Sequence, residues 1–236
     1  MCDSCGCGDP EILPVAVRAS VLSHNDREAA HNREHFLSAG IVAINLMGSP
    51  GSGKTALLEA TVRALRGGLR LAAVSGDLAT DHDGARLRSA GIPSLSITTG
   101  TACHLDARLV HDALHKLDAG PVDLLFIENV GNLVCPAIYD LGQTANVVAL
   151  SVTEGEDKPL KYPVMFRKAD LVVVTKADLI PHLPGFRRDV LDDAIRRTMP
   201  VPRVLTVSAM TGEGVSVWLA WLEQLRAGRT EEAPTR

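Results

Sequence analysis

Aromatic residues are scarce in this sequence, and positive charge is not in excess. Phe, Trp and Tyr make up 3% of the 236 residues, so surfaces for stacking nucleic-acid bases are not expected. Lys and Arg number 24 against 28 Asp and Glu, and the net charge of −4 argues against a nucleic-acid-binding protein. No apolar run reaches the roughly 18 residues of a membrane span, and the first residues lack the apolar core of a signal peptide. We therefore expect a cytoplasmic protein that binds neither nucleic acid nor membrane.

Cysteine is also sparse, and its distribution says more than its number. Three of the five cysteines, Cys2, Cys5 and Cys7, fall within the first seven residues, and the others are Cys103 and Cys135. An odd number of cysteines without a signal peptide is a poor basis for a disulfide framework. We therefore interpret the cysteines as candidates for metal binding or redox chemistry.

Short apolar segments alternate with helical ones along most of the chain. Strands are predicted over residues 41–47, 69–74, 94–98, 124–128, 147–152, 171–175 and 204–207, and helices over 20–39, 54–66, 83–90, 105–117, 186–199 and 215–226. This alternation predicts an α/β fold with a mostly parallel sheet flanked by helices. We divide the chain into a flexible tail (1–14), an N-terminal helical segment (15–40), the main domain (41–226) and a disordered tail (227–236).

The strongest motif is a glycine-rich loop between a predicted strand and a predicted helix. It matches G-x-x-x-x-G-K-[ST], and we assign all eight of its residues to nucleotide binding: Gly48, Ser49, Pro50, Gly51, Ser52, Gly53, Lys54 and Thr55. In such a loop backbone N–H groups surround the phosphates, the lysine reaches the β- and γ-phosphates, and the threonine hydroxyl binds Mg²⁺. The motif predicts a P-loop nucleoside triphosphatase.

Carboxylates after two other strands are candidates to complete the Mg²⁺ site. Glu128 ends a short apolar strand, and nucleotides bind at the carboxyl edge of such sheets. Asp77 is either a second Mg²⁺ ligand, directly or through water, or a turn or helix-capping residue. The backbone N–H of Gly131 is placed to sense the γ-phosphate. We therefore assign Lys54, Thr55, Asp77 and Glu128 to catalysis. Of these, Thr55, Asp77 and Glu128 are assigned to Mg²⁺.

A second motif, Thr175-Lys176-Ala-Asp178, follows another predicted strand and indicates the base. A carboxylate at Asp178 accepts hydrogen bonds from N1–H and the exocyclic amine of guanine, a donor pair that adenine lacks. Lys176 lies along the base, and Ser208-Ala209 resembles the loop behind the base in GTPases. The usual GTPase pattern has Asn where this chain has Thr175, which predicts retained guanine preference with reduced affinity.

The N-terminal cysteines Cys2, Cys5 and Cys7 are close enough in sequence to share one metal ion. Grouped thiolates suit Ni²⁺, Zn²⁺ or Cu⁺, with a backbone nitrogen or the chain's own amine as a further donor. The alternative is a disordered tail whose thiols oxidise adventitiously. We predict a nickel site here.

Cys103, His104 and Cys135 form a second candidate set, for nickel or zinc. Each residue alone has a common structural role, as a small buried side chain or a helix cap. All three nevertheless follow predicted strand ends, at the sheet edge expected to carry the nucleotide. Two thiolates and an imidazole leave a coordination position open, as a transfer site requires. A ligand on the γ-phosphate-sensing segment predicts that hydrolysis changes metal affinity.

Three histidines lie in the predicted N-terminal helix. His31 and His35 are at i,i+4 and therefore share one helix face, with His24 seven residues before His31. They are either an auxiliary metal-binding cluster or solvated surface side chains.

Together these features resemble the HypB family of hydrogenase nickel-incorporation GTPases, in the SIMIBI class of P-loop GTPases. The similarity covers residues from about 25 to 225, and the segments that carry it are 45–55, 102–106, 128–136, 157–163 and 211–214. The N-terminal Cys-x-x-Cys-Gly-Cys matches the nickel motif of some members. No long histidine-rich stretch of the nickel-storage type is present.

The resemblance implies a metallochaperone that hydrolyses GTP slowly to GDP while supplying Ni²⁺ to the large subunit of [NiFe]-hydrogenase. It implies a HypA-type nickel chaperone as partner and a homodimer with the nucleotide sites near the interface. It also implies a GTP-responsive nickel or zinc site at Cys103, His104 and Cys135.

Three alternatives remain open at this stage. A urease-type accessory GTPase would carry Cys-Pro-His instead of Cys-His and a distant Cys. A P-loop kinase would prefer ATP and phosphorylate a small molecule. A nickel-buffering protein would bind nickel at the N-terminal thiols without any response to its nucleotide.

Overall fold

A parallel β-sheet forms the centre of the chain. The computed structural model describes residues 15–65, 67–77, 80–100 and 102–232, so the predicted nickel site at Cys2, Cys5 and Cys7 lies outside the described residues. Within these ranges the sheet has seven strands: Val42–Met47 (β1), Leu71–Asp77 (β2), Ser94–Thr98 (β3), Leu124–Glu128 (β4), Ala145–Ser151 (β5), Leu171–Thr175 (β6) and Val204–Thr206 (β7). Their order is β3-β2-β4-β1-β5-β6-β7, and every neighbouring pair is parallel. The predicted fold class is confirmed.

Helices cover both faces of the sheet. They are Val15–Ser38 (α1), Lys54–Leu65 (α2), His82–Ser89 (α3), Ala107–Lys116 (α4), Lys158–Lys161 (α5), Pro163–Lys168 (α6), Arg188–Thr198 (α7) and Val215–Glu232 (α8). Short 3-10 helices span Cys135–Ala137 and Ala177–His182. No helix in the described ranges is both long and apolar enough to cross a membrane.

Successive side chains of a strand point to opposite faces of the sheet, and helices pack against both faces. In β1, Ile44 and Leu46 pack with buried residues of α2 and α8, including Trp218. Ala43 packs with Phe36 of α1 and with α4, whereas further along the same face Met47 packs with α6 and α7. This two-sided burial explains why the central strands β1, β4 and β6 are mostly apolar in the sequence.

Several element boundaries differ from the sequence-based prediction. β2 continues to Asp77 instead of ending at Val74, because Ser75, Gly76 and Asp77 pair with β3. At the other end of the chain, α8 extends to Glu232, so the predicted disordered tail from residue 227 is wrong over its first six residues. The short helices α5 and α6 were not predicted, because four- and six-residue helices leave too little periodicity to detect.

The N-terminal helical segment packs directly on the main domain. Phe36 of α1 is fully buried in the core cluster that contains the apolar side chains of α4. Asn25 accepts a hydrogen bond from the backbone N–H of Ala107 at 3.0 Å and donates one to the carbonyl of Asp140 at 2.8 Å. α1 is therefore held against the start of α4 and against the connection between β4 and β5.

Candidate functional site

The glycine-rich loop leaves β1 and turns into α2 at the carboxyl edge of the sheet. Gly51 and Gly53 have φ angles of 73° and 91°, which side chains rarely adopt. A Cβ at Gly48 would lie 2.4 Å from the carbonyl oxygen of Ala149, so only glycine fits there. The buried Lys54 side chain folds back over the loop, and its Nζ donates to the carbonyls of Gly48 at 3.3 Å and Ser49 at 3.1 Å. The loop thus has the form of a phosphate-binding P-loop.

Two carboxylates converge on the hydroxyl of Thr55, the last residue of the loop motif. Thr55 Oγ1 lies 2.7 Å from Glu128 Oε1 and 2.8 Å from Asp83 Oδ1. Asp83 was not predicted, although Asp81-His82-Asp83 puts two acids at the start of α3. These three groups line a cavity of about 430 Å³ together with Lys54 and other residues of the loop.

Asp77 and Gly131 line the same cavity. The hydroxyl of Thr80 donates to the Asp77 carboxylate, and the Asp77 carbonyl accepts a hydrogen bond from the N–H of Thr99 at 2.9 Å. Asp77 therefore makes the contacts expected of a turn residue, and it also lies in the cavity where a Mg²⁺ ligand would be expected.

Glu128 is buried at the centre of this group. Burial raises its pKa from the ordinary 4.5 to about 7, with Lys54 as the largest opposing effect, and burial lowers the pKa of Lys54. Its second oxygen, Oε2, has no hydrogen-bond partner among the described residues. A buried carboxylate oxygen aimed at a hydroxyl and a second carboxylate provides the oxygen ligands that Mg²⁺ prefers.

Glu128 predicts a pH dependence of stability in the absence of nucleotide and Mg²⁺. Because folding raises its pKa from 4.5 to about 7, the folded chain binds the proton more tightly, and the free energy of unfolding falls as pH rises through this range. Between pH 5 and pH 8 the free energy of unfolding should therefore fall by about 2–3 kcal/mol less in Glu128→Gln than in the parent. Urea unfolding of both proteins at the two pH values measures this. The exposed Glu223→Gln is the control, and a fall unchanged in Glu128→Gln would contradict the prediction.

The predicted base-binding residues meet beyond the carboxyl ends of β6 and β7. Lys176 has a φ of 58°, the one positive value at a non-glycine residue in the described ranges. The buried Ser208 hydroxyl donates to Asp178 Oδ1 at 2.5 Å and accepts from the N–H of Thr211 at 3.1 Å. Ala209 packs at the edge of the core beside this serine. The arrangement holds the Asp178 carboxylate in one orientation.

Thr175 connects the base side of the site to the P-loop. Its hydroxyl donates to the carbonyl of Ser52 at 2.5 Å, and the side chain lies against Gly53. The threonine at the position where GTPases usually have asparagine therefore supports the phosphate loop directly.

The connection between β4 and β5, residues 129–144, lies against the P-loop. A Cβ at Gly131 would lie 2.8 Å from Pro50 Cγ, and Asn132 forms an antiparallel bridge with Gly48. Asn129 accepts a hydrogen bond from the N–H of Leu105 at 3.1 Å through its buried side chain. The connection thus touches both the phosphate loop and the segment that contains Cys103 and His104.

The predicted metal ligands Cys103, His104 and Cys135 are together in space, with ligand atoms within 4.8 Å of one another. The two thiol sulfurs are 2.9 Å apart, and Cys103 Sγ is 3.8 Å from His104 Nδ1. The buried His104 ring stacks on Tyr139 with a centroid distance of 3.8 Å. Burial lowers the pKa of His104, which favours the neutral imidazole that binds metal. Two thiols and one imidazole match the ligands of Ni²⁺ and Zn²⁺ sites.

Tyr139 was not predicted, because its place beside His104 depends on how residues 129–144 fold back over the start of α4. Asn129 was not predicted either. Its position directly after Glu128, at the end of β4, could have indicated that it lies near the site. Both side chains support the Cys/His group without belonging to it.

The sheet order, the glycine loop and the residues around it define a P-loop GTPase fold of the SIMIBI class. Residues 42–204 match the family described as CobW/HypB/UreG, nucleotide-binding domain. Over 215 residues the chain is 51% identical to the hydrogenase maturation factor HypB of Azotobacter vinelandii, an alignment that covers 91% of this chain and 71% of that protein. The chain belongs to the HypB hydrogenase maturation factors, as its sequence motifs predicted.

Solved structures agree with this assignment. HypB from Helicobacter pylori in complex with nickel superposes with a TM-score of 0.82 at 38% identity, covering 90% of this chain and 98% of that one. HypB from Archaeoglobus fulgidus gives a TM-score of 0.80 at 38% identity, covering 87% and 100%.

Proposed function

We propose that this protein hydrolyses GTP and couples hydrolysis to the delivery of Ni²⁺ into the large subunit of [NiFe]-hydrogenase. One observation carries the coupling. The connection 129–144 contacts the P-loop through Gly131 and Asn132, and it carries Cys135 of the Cys/His site. A rearrangement at the phosphate loop therefore has a short physical path to a metal ligand.

In the hydrolysis step, water attacks the γ-phosphorus of GTP and the bond to the β–γ bridging oxygen breaks, giving GDP and phosphate. Lys54 stabilises the negative charge on the phosphate oxygens, and Gly131 contributes its backbone N–H. Thr55 and Glu128 would hold Mg²⁺, with Asp77 and Asp83 beside them. Mg²⁺ supplies charge neutralisation at the β- and γ-phosphates when bound.

Guanine recognition is assigned to Asp178, with Lys176 along the base and Ser208-Ala209 behind it. The Ser208 hydroxyl, at 2.5 Å, orients the Asp178 carboxylate before any nucleotide arrives. A preoriented carboxylate favours guanine, because adenine lacks the matching N1–H and amine donors.

Nickel is the proposed cargo of Cys103, His104 and Cys135, and Zn²⁺ the competing ion. The nickel complex of the Helicobacter pylori relative supports nickel. With GTP bound, the γ-phosphate holds Gly131 and the connection 129–144 in one arrangement. Loss of that phosphate releases the connection and changes the position of Cys135 relative to Cys103 and His104.

The remaining partners are also part of the proposal. We assign the N-terminal nickel site to Cys2, Cys5 and Cys7, a HypA-type chaperone as the partner in nickel transfer, and the cytoplasm as the location. A homodimer is supported by exposed apolar side chains beside the Cys/His site: Val134 and Ile138 are each 48% exposed. The two residues flank the segment that contains Cys135.

A Ni²⁺ titration of the reduced chain with Cys2, Cys5 and Cys7 replaced by serine tests the coupling. The chain is loaded with Mg²⁺ and either GDP or a non-hydrolysable GTP analogue, and thiolate-to-nickel absorption reports binding at the remaining cysteines. We expect the two nickel affinities to differ by about tenfold or more, a coupling energy typical of linked sites.

The control for this titration is the same chain with Cys135→Ser, which should lose the absorption in both nucleotide states. Equal nickel affinities with GDP and with the analogue would refute the coupling and favour a nickel-buffering protein. Absence of thiolate-bound nickel in both states would remove the Cys/His site from the mechanism.

A further inference from the structure

Four histidines from two helices meet on the surface where α1 packs against α4. His31 and His35 are one turn apart on α1, and His111 and His115 are one turn apart on α4. The ring centroids of His31 and His111 are 4.9 Å apart, and those of His35 and His115 are 5.7 Å apart. Ligand nitrogens of His35, His111 and His115 all lie within 4.8 Å of one another.

The sequence indicated only the two histidines of α1 in this group, His31 and His35. It suggested His24 as the third member, but His24 contacts Arg27 at 3.4 Å and is exposed on its own turn of α1. The histidines of α4 complete the group instead, and nothing in the local sequence connects residues 111 and 115 with residues 31 and 35.

A buried asparagine fixes the orientation of His111. The Asn32 amide nitrogen donates to the carbonyls of Ala107 at 2.8 Å and Leu141 at 3.1 Å. Its Oδ1 therefore faces His111 Nδ1, 3.2 Å away, as an acceptor. His111 must carry its proton on Nδ1, which leaves the lone pair of Nε2 directed away from Asn32. A hydrogen bond to the far ring nitrogen is the usual way in which proteins prepare a metal-binding histidine.

The lone pair of His111 Nε2 points to His115 Nε2, 3.1 Å away. This contact is an N–H···N hydrogen bond that His115 donates. A cation at this position would replace the shared proton, with His115 moving its proton to Nδ1. His35 supplies a third nitrogen from the opposite helix.

We propose that His35, His111 and His115 bind a divalent cation of the Ni²⁺ or Zn²⁺ type, with His31 beside them. Imidazole nitrogens select this class of ion over Mg²⁺ and Ca²⁺, which take oxygen ligands. The site is distinct from Cys103, His104 and Cys135: the two groups share no residue, and His104 precedes α4, whereas His111 and His115 lie within it. The inference does not depend on GTP hydrolysis or on nickel delivery.

A cation at this site would link α1 to α4. The same two helices are already joined by Asn25 and Asn32, whose partners include backbone groups of residue 107, the first residue of α4. Metal binding should therefore stabilise the packing of α1 on the domain.

The test uses the whole chain with all five cysteines replaced by serine, so that no thiolate ligand remains. Equilibrium dialysis without nucleotide measures binding of Ni²⁺, and separately of Zn²⁺. We expect one equivalent of metal, no thiolate-to-nickel absorption, and a higher Tm with metal bound. His115→Ala, which replaces an exposed side chain, should weaken metal binding by about tenfold or more, and His111→Gln should weaken it to the same extent.

The matched control is His24→Ala, which removes an exposed histidine from α1 outside the group and should leave the metal affinity unchanged. Equal loss in His24→Ala and His115→Ala would show adventitious surface binding and overturn the proposal, as would the absence of binding. If the cysteine-free chain does not fold, the Zn²⁺ stoichiometry of the unmodified reduced chain replaces it. There His115→Ala should bind one equivalent fewer than His24→Ala, and equal stoichiometries would overturn the proposal.

Discussion

Replacing Lys54 with methionine should reduce GTP hydrolysis by roughly a thousandfold, because one preorganised charged group is removed from the phosphate site. Methionine keeps most of the side-chain volume but cannot donate to phosphate oxygens. It also cannot donate to the carbonyls of Gly48 and Ser49, which the Lys54 ammonium contacts. Phosphate release in a single turnover, with protein in excess of GTP and at a concentration that binds all of it, measures the effect.

The control for Lys54→Met is Lys116→Ala, which removes an exposed lysine at the end of α4. It should hydrolyse GTP at the parental rate. A Lys54→Met protein that is folded by circular dichroism and hydrolyses GTP within threefold of the parent would contradict the assignment of the P-loop.

Asp178→Asn should exchange the base preference of the site. The carbonyl of the introduced amide would keep the hydrogen bond that Asp178 Oδ1 now accepts from Ser208, which turns the amide nitrogen towards the base. Two hydrogen bonds from guanine to a carboxylate are lost, at about 1.5–3 kcal/mol each, so GTP affinity should fall by roughly a hundredfold or more. Xanthosine triphosphate should gain affinity, because its base carries an acceptor in place of the guanine amine.

Competition binding with a fluorescent guanine nucleotide measures both affinities. Asp118→Asn, a carboxylate beyond the end of α4 and away from the nucleotide site, is the control and should bind GTP as the parent does. If Asp178→Asn weakened GTP and xanthosine triphosphate equally, the carboxylate would be a structural support of the loop and not the base-reading group.

Local sequence patterns predicted several strand bounds, the phosphate loop and the grouping of the Cys/His residues. The strands β3, β4 and β6 have the predicted bounds. For β4 and β6 the reason is that strands buried on both faces need nearly continuous apolar sequence. The P-loop could be assigned from eight consecutive residues, since its glycine conformations and its lysine are local requirements. Cys103, His104 and Cys135 could be grouped because all follow strands of one parallel sheet, and the structure places their ligand atoms within 4.8 Å.

The residues that were missed depend on contacts between distant parts of the chain. Asp83 reaches Thr55 across 28 positions, and only the packing of α3 beside α2 brings them together. Tyr139 reaches His104 because the connection between β4 and β5 folds over the start of α4. Neither arrangement leaves a periodic signal or a motif.

The sequence by itself determined the parallel α/β fold, the phosphate loop, the approximate ends of most strands and the membership of the HypB family. These depend on local backbone requirements and on hydrophobic periodicity, which neighbouring residues encode. Only the tertiary structure decided that α1 packs on α4, that Asn32 fixes the tautomer of His111, and that two pairs of histidines form one group. Such contacts arise because burial of Phe36 brings the two helices together, and side chains 75 or more positions apart then become neighbours.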